Sequence, residues 1–238
     1  MNKRIFIGAI VLLLFSCKQT AEKQELPSYF CRPELETFFG GSDTLPVVTF
    51  SPSDSFGSIK PSFLRHFDSI SENISIRVPI SIDSLKKTVY VKTTFENPFV
   101  IKPIGCYSRS NILRIHLDND SITINNENKI PYDSLKKLIT ADILNYGRNM
   151  YLSGSPNKMV VILRWNMQIK TEVFNLALKS IIDGHIEALN ITSSKYINKH
   201  LCSITKDDFT KLTSSFRFNL ILAFPEIPSE YLIFPSIG

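Results

Sequence analysis

The chain has four cysteines and four histidines, the residue types best suited to metal binding and nucleophilic catalysis. The histidines are scattered along the sequence, at His66, His116, His185 and His200. None lies at metal-ligand spacing from another histidine or cysteine, and no CxxC pair occurs. The sequence therefore predicts no metal site and no cofactor site, and we expect each histidine to be a surface or structural residue.

Two short segments carry residue types suited to catalysis or to calcium binding. Cys106 follows Gly105, but no base is predictable beside it, so burial or pairing of this thiol is favoured. Asp118-Asn119-Asp120 matches the start of a calcium loop without its later glycine and glutamate, so a simple turn is expected. Since no GxSxG motif occurs either, we predict that the protein is not an enzyme. An active site built from residues distant in sequence is the alternative.

Cys31, Cys106 and Cys202 are an odd number of cysteines after Cys17. Because three thiols cannot all pair within one chain, the sequence fits one disulfide with one free thiol, and it equally fits three buried thiols. A periplasmic location would permit the disulfide.

The N-terminus has the parts of a cleavable export signal. Lys3 and Arg4 precede eleven apolar residues, and Ser16 then precedes Cys17. The apolar run is shorter than the ~20 residues that cross a bilayer. This pattern resembles a bacterial lipoprotein signal, which implies that residues 1–16 are removed and that Cys17 is lipidated. An ordinary secretory signal with an incidental cysteine is the alternative.

Lipidation at Cys17 would also fix the protein's location in the cell envelope. Several acyl chains, palmitate among them, would hold the mature N-terminus in a membrane, because each buried CH₂ contributes ~0.8 kcal/mol. Lys18 is not the Asp that retains many such proteins at the inner membrane, which favours the outer membrane. The mature protein would face the periplasm or the cell surface. Residues 17–28 are polar and without periodicity, so they are predicted to be a flexible tether.

Composition is typical of a globular protein and argues against nucleic-acid binding. With 43% hydrophobic and 21% charged residues, the chain can form one large domain or two small ones. The net charge of +5 is diffuse, and the basic pairs Lys86-Lys87 and Lys136-Lys137 stand near Asp83 and Asp133. Such pairs are typical of solvated helix or turn faces.

Residues 29–104 are predicted to be rich in β structure. Residues 45–50 form a candidate strand, and apolar residues occupy every second position over 74–82. Residues 88–95 are strongly β-prone. Pro79 cannot donate to a neighbouring strand, so the 74–82 strand is expected at a sheet edge or with a bulge.

Residues 105–192 show the clearest succession of strand and helix patterns. We predict strands over 112–117 and 121–124, a helix over 131–146, a central strand over 159–163, a helix over 171–184 and a strand over 185–191. Gly147 and Gly184 are expected to end the two helices. A short helix opened by Thr205 and a strand over 216–224 form an appendix within 193–238.

The predicted fold class is therefore α+β. A β-rich N-terminal segment is followed by a ββαβαβ module with two helices packed on a sheet, and then by the helix-strand appendix.

The order of elements over 111–192 resembles the periplasmic domain of the ExbD/TolR biopolymer-transport family. The likeness covers about a third of the chain, and it depends on residues 112–117, 121–126, 130–138, 160–162 and 171–184. The resemblance implies a module that can dimerise and that contacts partner proteins or the cell wall across the periplasm.

Two departures from the family limit what the resemblance implies. Residues 5–15 contain no ionisable side chain, whereas the family has a membrane Asp that takes part in proton-driven coupling. Arg164-Trp165-Asn166 stands where the family has an Ala-Asp pair. We therefore expect a lipid-anchored envelope protein that acts by contact, accessory to a transport or energy-coupling assembly, and not a proton channel.

A ligand-binding surface lipoprotein is the alternative from another class. Phe95, Phe99 and Tyr107 surround a Pro-containing loop, where they would fill the core or line a groove for a peptide, a glycan or a small molecule. Trp165 is expected at a core edge or as an interface anchor. An exposed apolar patch or strand edge would favour contact, whereas a deep cleft with converging polar groups would favour a ligand or a substrate.

Overall fold

The structure is a computed structural model that describes residues 29–54, 58, 61, 74–82, 87–96 and 109–223. Several predictions fall outside these residues and stay predictions: the signal peptide 1–16, Cys17, the tether 17–28, His66, Phe99, Cys106 and Tyr107. Within the described ranges, the chain forms one mixed sheet with helices packed against it. The predicted α+β class is confirmed.

Seven strands form the sheet, in the order β1-β2-β7-β6-β3-β4-β5. They are β1 Ile74–Ile82, β2 Lys87–Glu96, β3 Ile112–Leu117, β4 Ile122–Ile124, β5 Asn128–Ile130, β6 Val160–Trp165 and β7 Leu220–Ala223. The α-helices among the described residues are α1 Pro33–Gly40, α2 Leu135–Ile143, α3 Thr171–Ile197 and α4 Lys206–Ser214. Their buried side chains join those of the strands in one large apolar cluster.

The centre of the sheet is parallel. Strands β2, β7, β6 and β3 run in the same direction, and antiparallel partners flank them on both sides. The run Val160–Leu163 on β6 is buried at every position. Burial on both faces is expected of parallel strands and explains why this segment is apolar without alternation.

The β-rich character predicted for residues 74–82 and 88–95 is confirmed by β1 and β2. Ile76, Val78 and Ile80 point into the core at every second position. Pro79 lies on a strand at the end of the sheet, as its missing N–H requires. The candidate strand over 45–50 is reduced to a single bridge in which Val47 pairs with Arg77.

Helix α1 was not predicted from the sequence. Pro33 fits the first helical position because its missing N–H has no intrahelical partner there, and Glu34 and Glu36 in the first turn favour the positive end of the helix. Leu35 and Phe39 are fully buried beneath it. Eight residues leave too few turns for a clear helical period in sequence.

The predicted strand over 185–191 is wrong, because α3 continues through it for 27 residues in total. Gly184 does not end this helix. A Cβ added to Gly184 would lie 2.6 Å from the Cβ of Ile139 on α2, so the glycine permits close packing of the two helices. The helix ends instead at Asn198, whose φ of 56° is left-handed.

Helix α2 is also shorter than predicted. It ends at Ile143 rather than near Tyr146, and Gly147, with a φ of +75°, lies in the loop that follows. The predicted C-terminal helix is confirmed as α4, where the Thr205 hydroxyl accepts a bond from the N–H of Asp208. The last strand spans only Leu220–Ala223 and lies between β2 and β6, at the centre of the sheet rather than at its periphery.

A disulfide joins Cys31 to Cys202, which are 171 positions apart in sequence and have their Cα atoms 5.6 Å apart. Of the two alternatives that the sequence left open, the structure therefore has the one with a disulfide. The bond ties the beginning of the described fold to the connection between α3 and α4.

Candidate contact site on the loop between α2 and β6

Residues 144–159, which we call the aromatic loop, join α2 to β6 and carry exposed apolar side chains. Met150 and Tyr151 are 77% and 78% exposed, and Tyr146 is 43% exposed. Tyrosine and methionine are enriched at protein interfaces, where they bury much area. Their exposure on one loop makes it a candidate contact surface.

A buried polar network supports the aromatic loop from below. The Asn145 side-chain amide donates to the carbonyls of Asn149 and Ser153 over 2.8 and 2.9 Å, and its oxygen accepts from the N–H of Asn149 over 2.7 Å. The N–H of Ser153 donates to the Asp142 carboxylate over 2.6 Å. These bonds join the first residues of the loop to its later half, so the loop has a defined shape before any partner binds.

Asn111, at the start of β3, attaches the same network to the sheet. Its side-chain oxygen accepts from the N–H of Gly154 over 3.0 Å and from the Ser153 hydroxyl over 3.4 Å. Asn111, Asp142, Asn145 and Ser153 are all buried. Every buried side-chain nitrogen and oxygen of the described residues has a partner, which is what holds such a network together.

Asp142 is the titratable member of the network. Its burial raises the pKa of the carboxyl to about 6, against the opposing effect of the bond from Ser153. The acceptors of the Ser153 hydroxyl are the Ser155 carbonyl at 3.1 Å and the Asn111 side-chain oxygen at 3.4 Å, which share its one proton. The hydroxyl is therefore directed at amide oxygens and not at a base. The geometry of this cluster is that of a support for a loop rather than of a nucleophile with its base.

A second concave surface lies between α1 and the edge of β2. Strand β7 pairs with β2 only over Thr94–Glu96, and a groove of about 510 Å³ lies beside Thr88, Val89 and Tyr90. Arg77 enters this groove, but it donates to the Asp43 carboxylate over 2.6 Å and to the Leu45 carbonyl over 3.2 Å. Its charge is therefore largely neutralised within the protein.

The three described histidines, which were predicted to be surface or structural residues, do not form a cluster. His116 Nε2 lies 3.7 Å from the Asp118 carboxylate, and His200 Nδ1 accepts from the N–H of Cys202 over 3.3 Å. His185 is buried against the rings of Phe39 and Phe218, which also contact each other, and burial lowers its pKa to about 4. Within the described ranges, no group of three or more histidine, cysteine, aspartate or glutamate side chains is placed to hold a metal ion.

The other candidate residues, Trp165, Phe95 and the segment from Asp118 to Asp120, have structural roles. Trp165 is 1% exposed and donates its Nε1–H to the Pro52 carbonyl over 2.8 Å, so it is a core residue. Phe95 is fully buried. Asp118 to Asp120 forms the expected turn, in which the N–H of Asp118 donates to the Ser121 carbonyl.

Sequence reasoning did not single out the aromatic loop. One signal was available: Tyr146, Met150 and Tyr151 interrupt a stretch rich in Gly, Asn and Ser, and such large apolar residues are unusual in a loop. The network beneath was not visible in the sequence, because Asn111 and Ser153 meet only after folding.

None of the helices in the described part of the chain combines the length and the apolar character needed to span a membrane. No family model matches the chain, and no curated protein or solved structure matches it significantly.

Proposed function

We propose that the protein is a lipid-anchored component of the cell envelope that acts by contact with other proteins and uses the aromatic loop as its contact surface. The observation that carries this proposal is the exposure of Met150 and Tyr151 on a loop held in place by buried hydrogen bonds. No enzymatic role is proposed, since the buried polar groups serve the loop itself.

A preformed loop favours binding for an energetic reason. Ordering interface side chains and loops on association costs free energy, and a loop that is already ordered avoids much of this cost. Aromatic side chains on such a loop can supply the few contacts that dominate an interface. The network of Asn145 and Ser153 therefore has a purpose beyond the stability of the fold.

Two features support the envelope location. Disulfides such as Cys31–Cys202 form in oxidising compartments, including the periplasm. The N-terminal pattern ending at Cys17 resembles a lipoprotein signal. From Cys17 to Tyr29 an extended chain would span at most about 40 Å, so an acylated Cys17 would keep the domain close to its membrane.

The ExbD/TolR resemblance gives the proposal its narrower form, an accessory to a transport or energy-coupling assembly that also forms a homodimer. Lys18, rather than the resemblance, favours the outer over the inner membrane. The charge-free segment 5–15 separates this role from proton conduction.

Affinity purification of the intact protein from its native envelope tests the proposal. Recovery of inner-membrane motor subunits with the wild type, and their loss with Met150→Ala/Tyr151→Ala, is the expected result. Tyr196→Ala is the matched control, because Tyr196 is 67% exposed at the far end of α3. Equal recovery with all three proteins, or recovery of nothing, would count against the contact function.

The groove between α1 and β2 supports the alternative, a ligand-binding lipoprotein. It has the volume of a small-molecule or peptide site, about 510 Å³, and the Tyr90 side chain is 45% exposed beside it. Saturable binding of a peptide or glycan that is lost in Tyr90→Ala, with the aromatic loop intact, would favour this alternative.

A further inference from the structure

A row of basic side chains crosses four neighbouring strands on one face of the sheet. Arg164 on β6 lies directly opposite His116 on β3, which lies opposite Thr123 on β4, which in turn lies opposite Lys129 on β5. Arg114 lies two residues before His116 and therefore on the same face. We call Arg114, His116, Arg164 and Lys129 the basic row.

The basic row lies on the face opposite the main core. Leu113, Ile115 and Leu117 alternate with its β3 members and are buried in the large apolar cluster. Lys129 is exposed, whereas Arg114, His116 and Arg164 are partly exposed. The row is therefore accessible, yet most of its members are recessed among the strands.

Three side chains of the row, those of Arg114, Arg164 and Lys129, have no counter-charge among the described residues. No carboxylate of the described residues forms an ion pair with Arg114, Arg164 or Lys129, and Asp118 lies 3.7 Å from His116 alone. The charges of these three side chains are therefore not compensated within the described part of the chain, and an external anion can pair with them.

We propose that the basic row binds an acidic segment of a partner polypeptide, and this inference rests on the proposed contact function. Strands lie about 4.8 Å apart, so Arg164 and Lys129 are about 14 Å apart across the sheet. In an extended peptide, side chains four residues apart lie about 13 Å apart on one face. Carboxylates at that spacing can meet both ends of the row, and the guanidinium of Arg164 can donate hydrogen bonds to one of them.

Two observations favour an acidic peptide over other polyanions. Among the described positions that share this face of β3, β4, β5 and β6, there is no Phe, Tyr or Trp on which nucleic-acid bases could stack. The turns at both sides carry Asp118, Asp120 and Glu127, which are partly or fully exposed. These carboxylates would repel a flat anionic membrane, whereas a narrow peptide can lie between them.

The test measures binding of a fluorescent poly-L-glutamate peptide to the full chain in detergent solution. Arg114→Gln/Arg164→Gln is expected to weaken the affinity by about tenfold or more, and Arg114→Lys/Arg164→Lys to retain most of it, because charge is the determinant. Lys195→Gln/Lys199→Gln, which removes two exposed charges at the end of α3, is the matched control and should change the affinity less than twofold.

Equal affinity of the row and control variants would overturn the inference. It would also be overturned if anionic vesicles or a single-stranded oligonucleotide bound more tightly than the peptide and depended equally on Arg114 and Arg164. An unchanged denaturation midpoint in the Gln variant ensures that lost binding reflects the missing charge. If Met150→Ala/Tyr151→Ala loses its envelope partners while Arg114→Gln/Arg164→Gln keeps full poly-L-glutamate affinity, this inference alone fails. If Arg114→Gln/Arg164→Gln loses that affinity while Met150→Ala/Tyr151→Ala keeps its partners, the contact function of the aromatic loop alone fails.

Discussion

The main-chain N–H of Ser153 donates to the carboxylate of Asp142 over 2.6 Å, and both residues are buried. This bond links the end of α2 to the later half of the aromatic loop. It also places an ionisable group where water cannot solvate it, and burial raises the pKa of Asp142 to about 6. Stability of the loop and protonation of Asp142 are therefore coupled.

The first prediction concerns the pH dependence that Asp142 contributes. Its pKa rises from 3.8 when unfolded to about 6 when folded, so the folded state binds more protons between these values. The ionised carboxylate then destabilises the fold by about 3 kcal/mol above pH 6, and this penalty is relieved as pH falls toward 4. Asp142→Asn should be more stable than wild type at pH 8, with an advantage that shrinks toward pH 4. Urea denaturation followed by Trp165 fluorescence measures this difference, and a constant difference would contradict it.

His185 should contribute the opposite dependence. Burial lowers its pKa from 6.5 to about 4, so the fold holds the imidazole neutral. This stability is present above pH 6.5, and about 3 kcal/mol of it is lost as pH falls through 6.5 toward 4. In His185→Leu the loss of stability at acid pH should disappear. The free energy of unfolding should then rise as pH falls, which is the dependence that Asp142 contributes. The same urea titrations check this, and an unchanged slope would show that His185 does not titrate in this range.

Local hydrophobic patterns correctly predicted the strands whose buried residues can be recognised from their own segment of sequence. The alternation at Ile76, Val78 and Ile80 identified β1, and the apolar run from Val160 identified β6. Gly184 was misassigned because its role depends on Ile139, a residue on another helix. Likewise, the central position of β7 depends on pairing with β2 and β6, which a segment's own sequence does not reveal.

The candidate site was less accessible to sequence reasoning than the fold. The sequence shows that an odd number of cysteines cannot all pair. Only their proximity in the fold assigns the disulfide to Cys31 and Cys202. The aromatic loop depends on exposure, and exposure is a property of the assembled surface. Methionine is a residue type that is often buried, so the sequence alone does not show that Met150 is exposed.

The disulfide should contribute strongly to stability. It links cysteines that are 171 positions apart, and restricting the unfolded chain over such a length contributes about 3–5 kcal/mol. Cys31→Ser/Cys202→Ser should therefore unfold at a lower urea concentration, and reduction of the wild type should produce the same shift. Mass analysis of a non-reduced digest should recover the peptides of Cys31 and Cys202 linked. Separate peptides would contradict the assignment.

Gly184→Ala should destabilise the protein although alanine is the better helix former. The added Cβ would meet Ile139 at 2.6 Å and the Lys136 carbonyl at 3.0 Å, so α2 and α3 would have to separate. Overpacking of this kind costs about 1–3 kcal/mol, against a propensity gain of about 1 kcal/mol. Ser194→Ala on the exposed face of α3 is the control and should leave the urea midpoint unchanged. A stabilised Gly184→Ala would show that the two helices are not in close contact.

Asn145→Ala tests whether the shape of the aromatic loop matters apart from its side chains. The substitution leaves the carbonyls of Asn149 and Ser153 without their donor, at a cost of about 1–3 kcal/mol. Tyr146 and Tyr151 would still be present, but the loop would open more often. Chymotrypsin should then cleave beside them about tenfold faster or more, since cleavage follows the population of the open loop. Recovery of envelope partners should fall in the same variant, as in Met150→Ala/Tyr151→Ala. Faster cleavage with full partner recovery would mean that contact requires the aromatic side chains and not their preformed arrangement.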